Sequence, residues 1–280
     1  MRILFYSDNF YPEISGISDS IITLGRELIR RGHTVGFAVP KYSDADYRYA
    51  GLDPDDSKFL EGFEVYRIPS LCYGNSPSGQ ARMVVPLGWS LGFVRKFKPD
   101  IIHSQSPFGT GFEALFAAKL FNIPLIGTNH TIMSEFARIY GPKYLEHTAD
   151  KFLFWYYRRC LATSVPSPSL AEKMSATGYK GTLEVIPNPV SLAQFSPASP
   201  AEREALRKEF HLLGPTILFV GRLGKEKQIE PIIDAMVRLE HVPFIKLVIA
   251  GSGPLEADLK KKVRDLNIPE KVVFTGFLDH

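Results

Sequence analysis

An arginine and a lysine on either side of a short glycine-containing turn, Arg222 and Lys227, carry the first chemistry legible in this chain. They stand in TILFVGRLGKEKQIEPIIDAM, residues 216–236, which reads as a buried strand, a turn at Gly221 and an amphipathic helix. Arginine holds a phosphate as a bidentate fork and lysine as a mobile point charge. The N-terminus of the following helix adds unpaired N–H groups and its dipole. A diphosphate is the guest such a turn would clamp, and the same cations would stabilise a departing phosphate. Spacing alone leaves a second reading open, a solvated loop in which Glu226 pairs one of the two cations.

His103 and His130 close the apolar runs DIIH and PLIGTNH. Both therefore fall at strand carboxyl ends, the rim on which open α/β sheets bind ligands. Either could bond a sugar hydroxyl or handle a proton, and a histidine in the same place can equally be a structural residue. Glu135, in SEF, is an acceptor-side carboxylate or a helix-start residue. Gly16, in YPEISGIS between the first strand and the first helix, would let a ligand approach the backbone, although a plain turn glycine would look the same. Gly109, Gly111 and Ala114 match GxGxxA, but GTNHT stands where a dinucleotide site needs a ribose-binding acid, so a dehydrogenase is the weakest reading. Gly251-Ser252-Gly253-Pro254 lacks the third glycine and reads as a strand-to-helix turn. No Ser-His-Asp order or HExxH is present.

The elements that must position these residues alternate from the start of the chain. RILFYS is a strand, followed by a loop and a helix over 17–31 with Ile21, Leu24 and Leu28 on one face. Arg30, Arg31 and Gly32 stop it. HTVGFAVP is the next strand, and residues 41–80 read as loops around one further strand, FEVYRIP. The pattern then predicts a helix over 85–97, a strand DIIHSQ, a helix GFEALFAAKLF, a strand PLIGTNH, a mainly helical stretch over 134–160, and strands ATSVPS and TLEVIPNP. This alternation argues for a doubly wound parallel sheet over residues 1–190. A linker containing Pro187, Pro189, Pro197 and Pro200 follows, with Ser199, Pro200 and Glu202 forming a helix-start signature. A second β/α series occupies 191–280 (TILFV, a helix over 229–239, IKLVIAG, a helix over 255–266, KVVFTGFLDH) and looks incomplete, with an exposed sheet edge.

Composition narrows the class further. A chain of 280 residues with 45% hydrophobic and 22% charged residues can build two domains with real cores. Cys72 and Cys160 stand in no metal-ligand spacing, which argues against a disulfide framework or a zinc site and fits a cytoplasmic, reducing setting. The N-terminal run breaks too early for a signal peptide, and no apolar run is long enough to span a membrane. A net charge of +3 does not argue for nucleic acid. PLGWSLGFVRKFKP, residues 86–99, is the membrane-surface candidate, with Trp89, Leu91, Phe93 and Val94 beside Arg95, Lys96 and Lys98.

Taken in order, RILFYSDNFYPEISGISDSI, LGRELIRRGHTV, PDIIHSQSPF, IPLIGTNHT, SLAEKM, VIPNPVSLAQF, FVGRLGKEKQIEPIIDA, LVIAGSGP and VVFTGFL resemble the retaining glycosyltransferases of family 4. That resemblance implies the GT-B fold: α/β, two Rossmann-like doubly wound parallel-sheet domains, with an N-terminal acceptor-side domain over 1–190 and a partial donor domain over 191–280. It implies a hexosyltransferase that moves a sugar from a UDP- or GDP-linked donor to a lipid or saccharide acceptor, with retained configuration and no metal or other cofactor. Carried over by motif, Arg222 and Lys227 hold the donor diphosphate, Gly16 lets the first loop approach it, and His130 lies near the sugar. Phe277 and Leu278 meet the nucleobase, and His103 and Glu135 are candidates for sugar or acceptor contacts. The GTNHT and GRLGKEK variants look closest to members acting on diacylglycerol or phosphatidylinositol, which agrees with a peripheral place at the inner membrane face. Gln228 stands where the family usually has glycine, and Pro189 replaces a common hinge glycine. The family's donor-gripping glutamates would lie past His280, so the resemblance implies a truncated chain without measurable turnover of its own. The alternatives are an epimerase of the same fold, using the clamp without an acceptor, and a non-catalytic nucleotide- or sugar-binding module.

Overall fold

A computed structural model describes residues 1–13, 15–50, 52–72, 80–131, 146–190, 192, 195–276 and 278. The chain divides into two compact units, Met1–Ser191 and Leu192–His280. In the first, strands β1 (Arg2–Tyr6), β2 (Thr34–Pro40), β3 (Glu64–Ile68), β6 (Ile101–Ser104), β7 (Leu125–Thr128), β8 (Thr163–Val165) and β9 (Leu183–Val185) form one sheet in the order β3-β2-β1-β6-β7-β8-β9. Every pairing is parallel, with Ile3 of β1 opposite both Val35 and Ile101. The strand order reverses between β1 and β6. That crevice, at the carboxyl ends of the two strands, is where an open α/β sheet binds its ligand.

Helices cover both faces. Helix α1 (Gly16–Arg30) buries Ile21 and Ile22 against Phe5, Val35 and Phe37. Its last turn is braced by Glu27, which pairs Arg30 and Arg31 at 2.7 Å each. On the opposite face lie α3 (Leu91–Phe97) and α4 (Gly109–Phe121), packed with Leu4, Tyr6, Ala38 and Ile102. Next to these are α5 (Glu146–Tyr157) and α6 (Pro168–Ala176). The region expected to hold only loops around β3 also contains a short helix α2 (Asp44–Tyr49) and an antiparallel pair of short strands, β4 (Leu71–Cys72) and β5 (Arg82–Met83). A part-buried Arg82–Asp46 ion pair ties β5 to α2.

The helix expected over 85–97 is shorter than its pattern suggests. Gly88 takes φ 81°, and the N–H groups of Gly88, Trp89 and Ser90 converge on the buried Glu113 carboxylate at 2.6, 3.1 and 3.1 Å. These donors are committed to a side chain of α4, so helical bonding begins only at Leu91. Within the membrane-surface candidate, residues 86–99, the helical part turns its apolar side chains inward, while Leu87 and Trp89 remain exposed. Val94 and Phe97 are core residues, and Phe93 stacks on Tyr66 with ring centroids 5.4 Å apart. The apolar side of α3 faces the sheet.

The second unit has a parallel sheet of β10 (Thr216–Val220), β11 (Lys246–Ala250) and β12 (Val272–Gly276). Its core joins these strands to α8 (Glu230–Arg238) and α9 (Glu256–Asp265) through Ile233, Met236, Leu247, Ile249, Leu259 and Val263. Helix α7 (Pro200–Glu209) begins with the expected capping box. Glu202 N–H donates to Ser199 Oγ at 3.3 Å, and Ser199 N–H donates to a Glu202 oxygen at 2.8 Å.

Candidate functional site

The carboxyl-end rim of the large sheet is built from the residues that follow β1, β6 and β7. Gln105 N–H donates to Tyr6 O at 2.8 Å, binding the two strands together at the switch point. Beyond it, Asp8 accepts from Thr110 N–H at 2.9 Å and from Ser106 Oγ at 2.5 Å. Its carboxylate therefore occupies the N-terminus of α4, with its pKa pushed up by burial. A Cβ on Gly109 would collide with the Val84 carbonyl, and one on Gly111 with the Ser106 carbonyl. The GxGxxA glycines are thus required by packing, and the chain's own carboxylate takes the place a dinucleotide phosphate would need.

The two rim histidines differ. His103 lies inside the sheet, opposite Phe5 with ring centroids 5.0 Å apart, and its Nε2 bonds Thr128 Oγ1 at 2.7 Å. Thr128 Oγ1 in turn bonds Ser164 Oγ at 2.6 Å, so His103 belongs to a buried chain crossing three strands. His130 is half-buried on the rim, its Nε2 2.8 Å from Gln105 Oε1. Burial pushes the His130 pKa down to about 4, and burial with the His130 charge nearby pushes His103 down to about 3. Both rings are neutral at pH 7, so His130 can give or take a hydrogen bond but does not carry a proton there to donate as an acid.

Gly16 opens α1, where Ser15 Oγ accepts from Ser18 N–H at 3.1 Å. A Cβ on Gly16 would meet nothing within 4 Å, and its φ is not in the left-handed region. The chain's own packing does not demand glycine here, unlike the plain turn glycine considered above. The loop before it is held by residues that pattern reading missed. Arg67 Nη1 donates to Tyr11 O at 2.9 Å, Gln80 Nε2 to Pro12 O at 3.3 Å, and Tyr42 Oη to the buried Glu13 carboxylate at 3.1 Å. These donors come from separate elements with no common motif, so no local signal could have found them.

In the second unit the three strand ends are joined into one rim. Gly221 N–H donates to Ala250 O at 3.0 Å, Leu223 N–H to Ser252 O at 2.9 Å, and Gly251 N–H to Gly276 O at 2.8 Å. Gly221 and Gly251 have φ 149° and 138°, and a Cβ on Gly251 would collide with the Gly221 carbonyl. Arg222 leaves this rim half-buried and donates to Glu226 at 2.6 Å, so the pairing weighed against a phosphate clamp is present. Such a pair also orients the guanidinium, which a bidentate contact requires. Lys227 is exposed on the 3₁₀ turn Lys225–Lys227, and Gln228 closes that turn at φ 49°, the conformation that glycine adopts most cheaply. Leu278 is exposed beyond β12, while Phe277 and Glu135 lie outside the described residues. Among the described residues no cluster of three or more histidines, cysteines or acids could hold a metal.

Comparison with known proteins adds family and fold. A family model described as Glycosyltransferase Family 4 matches residues 14–194, and one described as Glycosyl transferases group 1 matches residues 202–280. An alpha-monoglucosyldiacylglycerol synthase of Streptococcus pneumoniae is 28% identical over 99% of this chain. A GDP-mannose-dependent alpha-mannosyltransferase of Mycobacterium tuberculosis is 27% identical, again over 99% of the chain. The chain spans 62% of the length of the former and 68% of the latter. Among solved structures, an Anabaena protein, HepE, in complex with UDP-glucose aligns over all of this chain and 70% of its own, with TM-score 0.73 and 16% identity. Sucrose-phosphate synthase from Thermosynechococcus elongatus aligns over all of the chain and 71% of its own, with TM-score 0.74 and 17% identity. None of these matches supports the epimerase alternative.

Proposed function

The chain belongs to glycosyltransferase family 4 and has its GT-B fold, and from that premise we propose that it serves the transfer of a sugar from a UDP- or GDP-linked donor to a lipid acceptor with retained configuration. The observation that carries the reading is the Arg222–Glu226 pair on the rim of the second unit, with Lys227 on the same loop. When the bond between the sugar and the diphosphate breaks, negative charge grows on the leaving phosphate. Arg222, pre-oriented by Glu226, and Lys227 would meet that charge without having to reorganise. Carried over by motif, Gly16, over which a Cβ would meet nothing, would let the first loop approach the donor phosphates, and neutral His130 would hold a sugar hydroxyl. Leu278 would lie against the nucleobase.

The choice of a lipid is supported by the outer surface of α4 and α5. Phe116 of α4 is 50% exposed, and Leu87, in the turn before α3, is 70% exposed. Phe112, Phe152 and Trp155 form a ring cluster with centroids 6.0–6.2 Å apart, and Arg159 lies 3.8 Å over Trp155. A cavity of about 270 Å³ opens among Pro86, Leu87, Gly88, Phe112, Glu113 and Phe116. Aromatic rings with exposed Lys119 and Lys151 on the same two helices, and Arg159 over Trp155, suit the headgroup boundary of an anionic membrane. Among the described residues no helix is long and apolar enough to cross a membrane, so this reading is of a protein lying on the surface.

Calorimetric titration with UDP and with GDP tests the donor site. One nucleotide should bind, and Arg222→Ala should weaken it by about tenfold or more, as loss of a charge-assisted contact implies. Absence of binding by either, or an Arg222→Ala variant that binds as well as the parent, would sink the reading. Co-sedimentation with phosphatidylglycerol vesicles tests the acceptor side, and a Phe116→Ser/Trp155→Ser variant should lose binding that the parent shows at low salt.

A further inference from the structure

Gln105 follows β6 at the switch point and is only 4% exposed. Its Oε1 is 2.8 Å from His130 Nε2. The remaining polar atom of each side chain, Gln105 Nε2 and His130 Nδ1, is buried and has no hydrogen-bond partner among the described residues. Buried polar atoms are almost always paired, because desolvation without a replacement bond is unfavourable. Two orphans on one hydrogen-bonded pair, at the rim where such sheets bind ligands, therefore point to something that fills them.

The chemistry of the pair limits what that is. With the amide oxygen facing the ring, the imidazole must carry its proton on Nε2, which leaves Nδ1 as a bare acceptor. The amide nitrogen is a bare donor. An anion would be repelled by the Nδ1 lone pair, and a cation by the amide hydrogens. A hydroxyl both donates and accepts, so it can meet either the bare acceptor or the bare donor. His103 cannot take over the role, because its Nε2 is already engaged with Thr128 inside the sheet.

We propose that Gln105 is the positioning residue of His130, fixing its neutral Nε2–H tautomer and forming with it a subsite for a sugar hydroxyl. The subsite rests on the transferase reading above, whereas the tautomer does not. The resemblance gave a role to His130 and none to Gln105, which adds a second hydrogen-bonding group whose replacement should change which hydroxyls are accepted.

Long-range ¹H–¹⁵N correlation on the full chain, labelled in its histidine rings, reads the tautomer directly. The parent should show His130 as a single Nε2–H form at pH 7.5. Gln105→Glu keeps an acceptor oxygen and should retain that form, while Gln105→Leu should give a mixture of both. A Gln105→Leu spectrum with the parent tautomer overturns the positioning role. Should the leucine variant not fold, loss of the Nε2–H form in Gln105→Glu overturns it instead.

Titration of the parent with UDP, UDP-glucose, GDP and GDP-mannose reads the subsite. The His130 Nδ1 signal should move with a nucleotide sugar and not with its free nucleotide. If the amide signals of residues 221–227 respond and His130 does not distinguish sugar from nucleotide, the donor reading stands and the hydroxyl subsite falls. If residues 221–227 respond to none of the four, the transferase reading falls, and the tautomer comparison decides Gln105 by itself.

Discussion

Arg222 shows how one residue can satisfy two readings of the same spacing. Its guanidinium donates to Glu226, as a bland loop would require, and under the proposed function the same contact would present a fork to a diphosphate. The two readings separate on mutation. Glu226→Gln keeps a hydrogen-bond acceptor but removes the charge, so nucleotide affinity measured by calorimetry should change less than threefold, against the larger loss for Arg222→Ala. An equal loss in both would mean that the pair acts only as scaffold. The rim histidines make a pH prediction. Both folded-state pKa values lie below the ordinary 6.5, near 4 and 3. The unfolded chain therefore takes up these protons first. Stability should be full above pH 6.5 and should fall as pH drops toward 4, by up to about 1.4 kcal/mol per pH unit for each ring. Asp8, raised by burial, works in the opposite sense, so the clean readout is a difference. The urea midpoint should shift less between pH 7.5 and 5.5 in His130→Gln than in the parent, and equal shifts would refute the assignment. Of the residues at this scale, Arg222, Lys227 and His130 could be named as candidates because a motif carries them. Gln105, Glu13 and Asp8 were not, because what singles them out is a partner far away in sequence.

At the scale of elements, the start of α4 is the instructive case. The glycine pattern there matches a dinucleotide fingerprint without its ribose-binding acid, and the helix N-terminus is capped by Asp8 from the β1 loop. Asp8→Ala should cost about 1–2 kcal/mol through the lost cap, and Gly111→Ala about 1–3 kcal/mol because its methyl group meets a backbone carbonyl. Thermal melts check both, and a Gly111→Ala protein as stable as the parent would contradict the packing account. The shortened α3 has a related cause. Local pattern favoured a helix from residue 85, but a carboxylate on α4 captured the N–H groups that would have begun it. The capping box at Ser199 and Glu202 was read correctly because both partners lie within one turn. Helix ends set by their own neighbours are visible in sequence, and helix ends set by another element are not.

For the molecule as a whole, the two units have separate cores and unequal protection. The smaller sheet leaves Val220 71% and Leu218 63% exposed, whereas the central strands of the larger sheet are covered on both faces. The second unit should therefore unfold first. Both tryptophans, Trp89 and Trp155, lie in the first unit, so their fluorescence follows that unit while far-ultraviolet circular dichroism follows both. In urea the dichroism signal should begin to fall before the fluorescence changes, and superimposable curves would show a single cooperative body. The alternation of apolar runs with helical periodicity determined the parallel α/β class and the loop carrying Arg222 and Lys227, because each rests on residues close together in sequence. Tertiary structure decided which glycines serve packing, which histidine is buried in the sheet and which reaches the rim, and what Gln105 faces. Those outcomes depend on burial and on hydrogen bonds between strands and helices far apart in sequence, and no local pattern encodes a partner that only folding supplies.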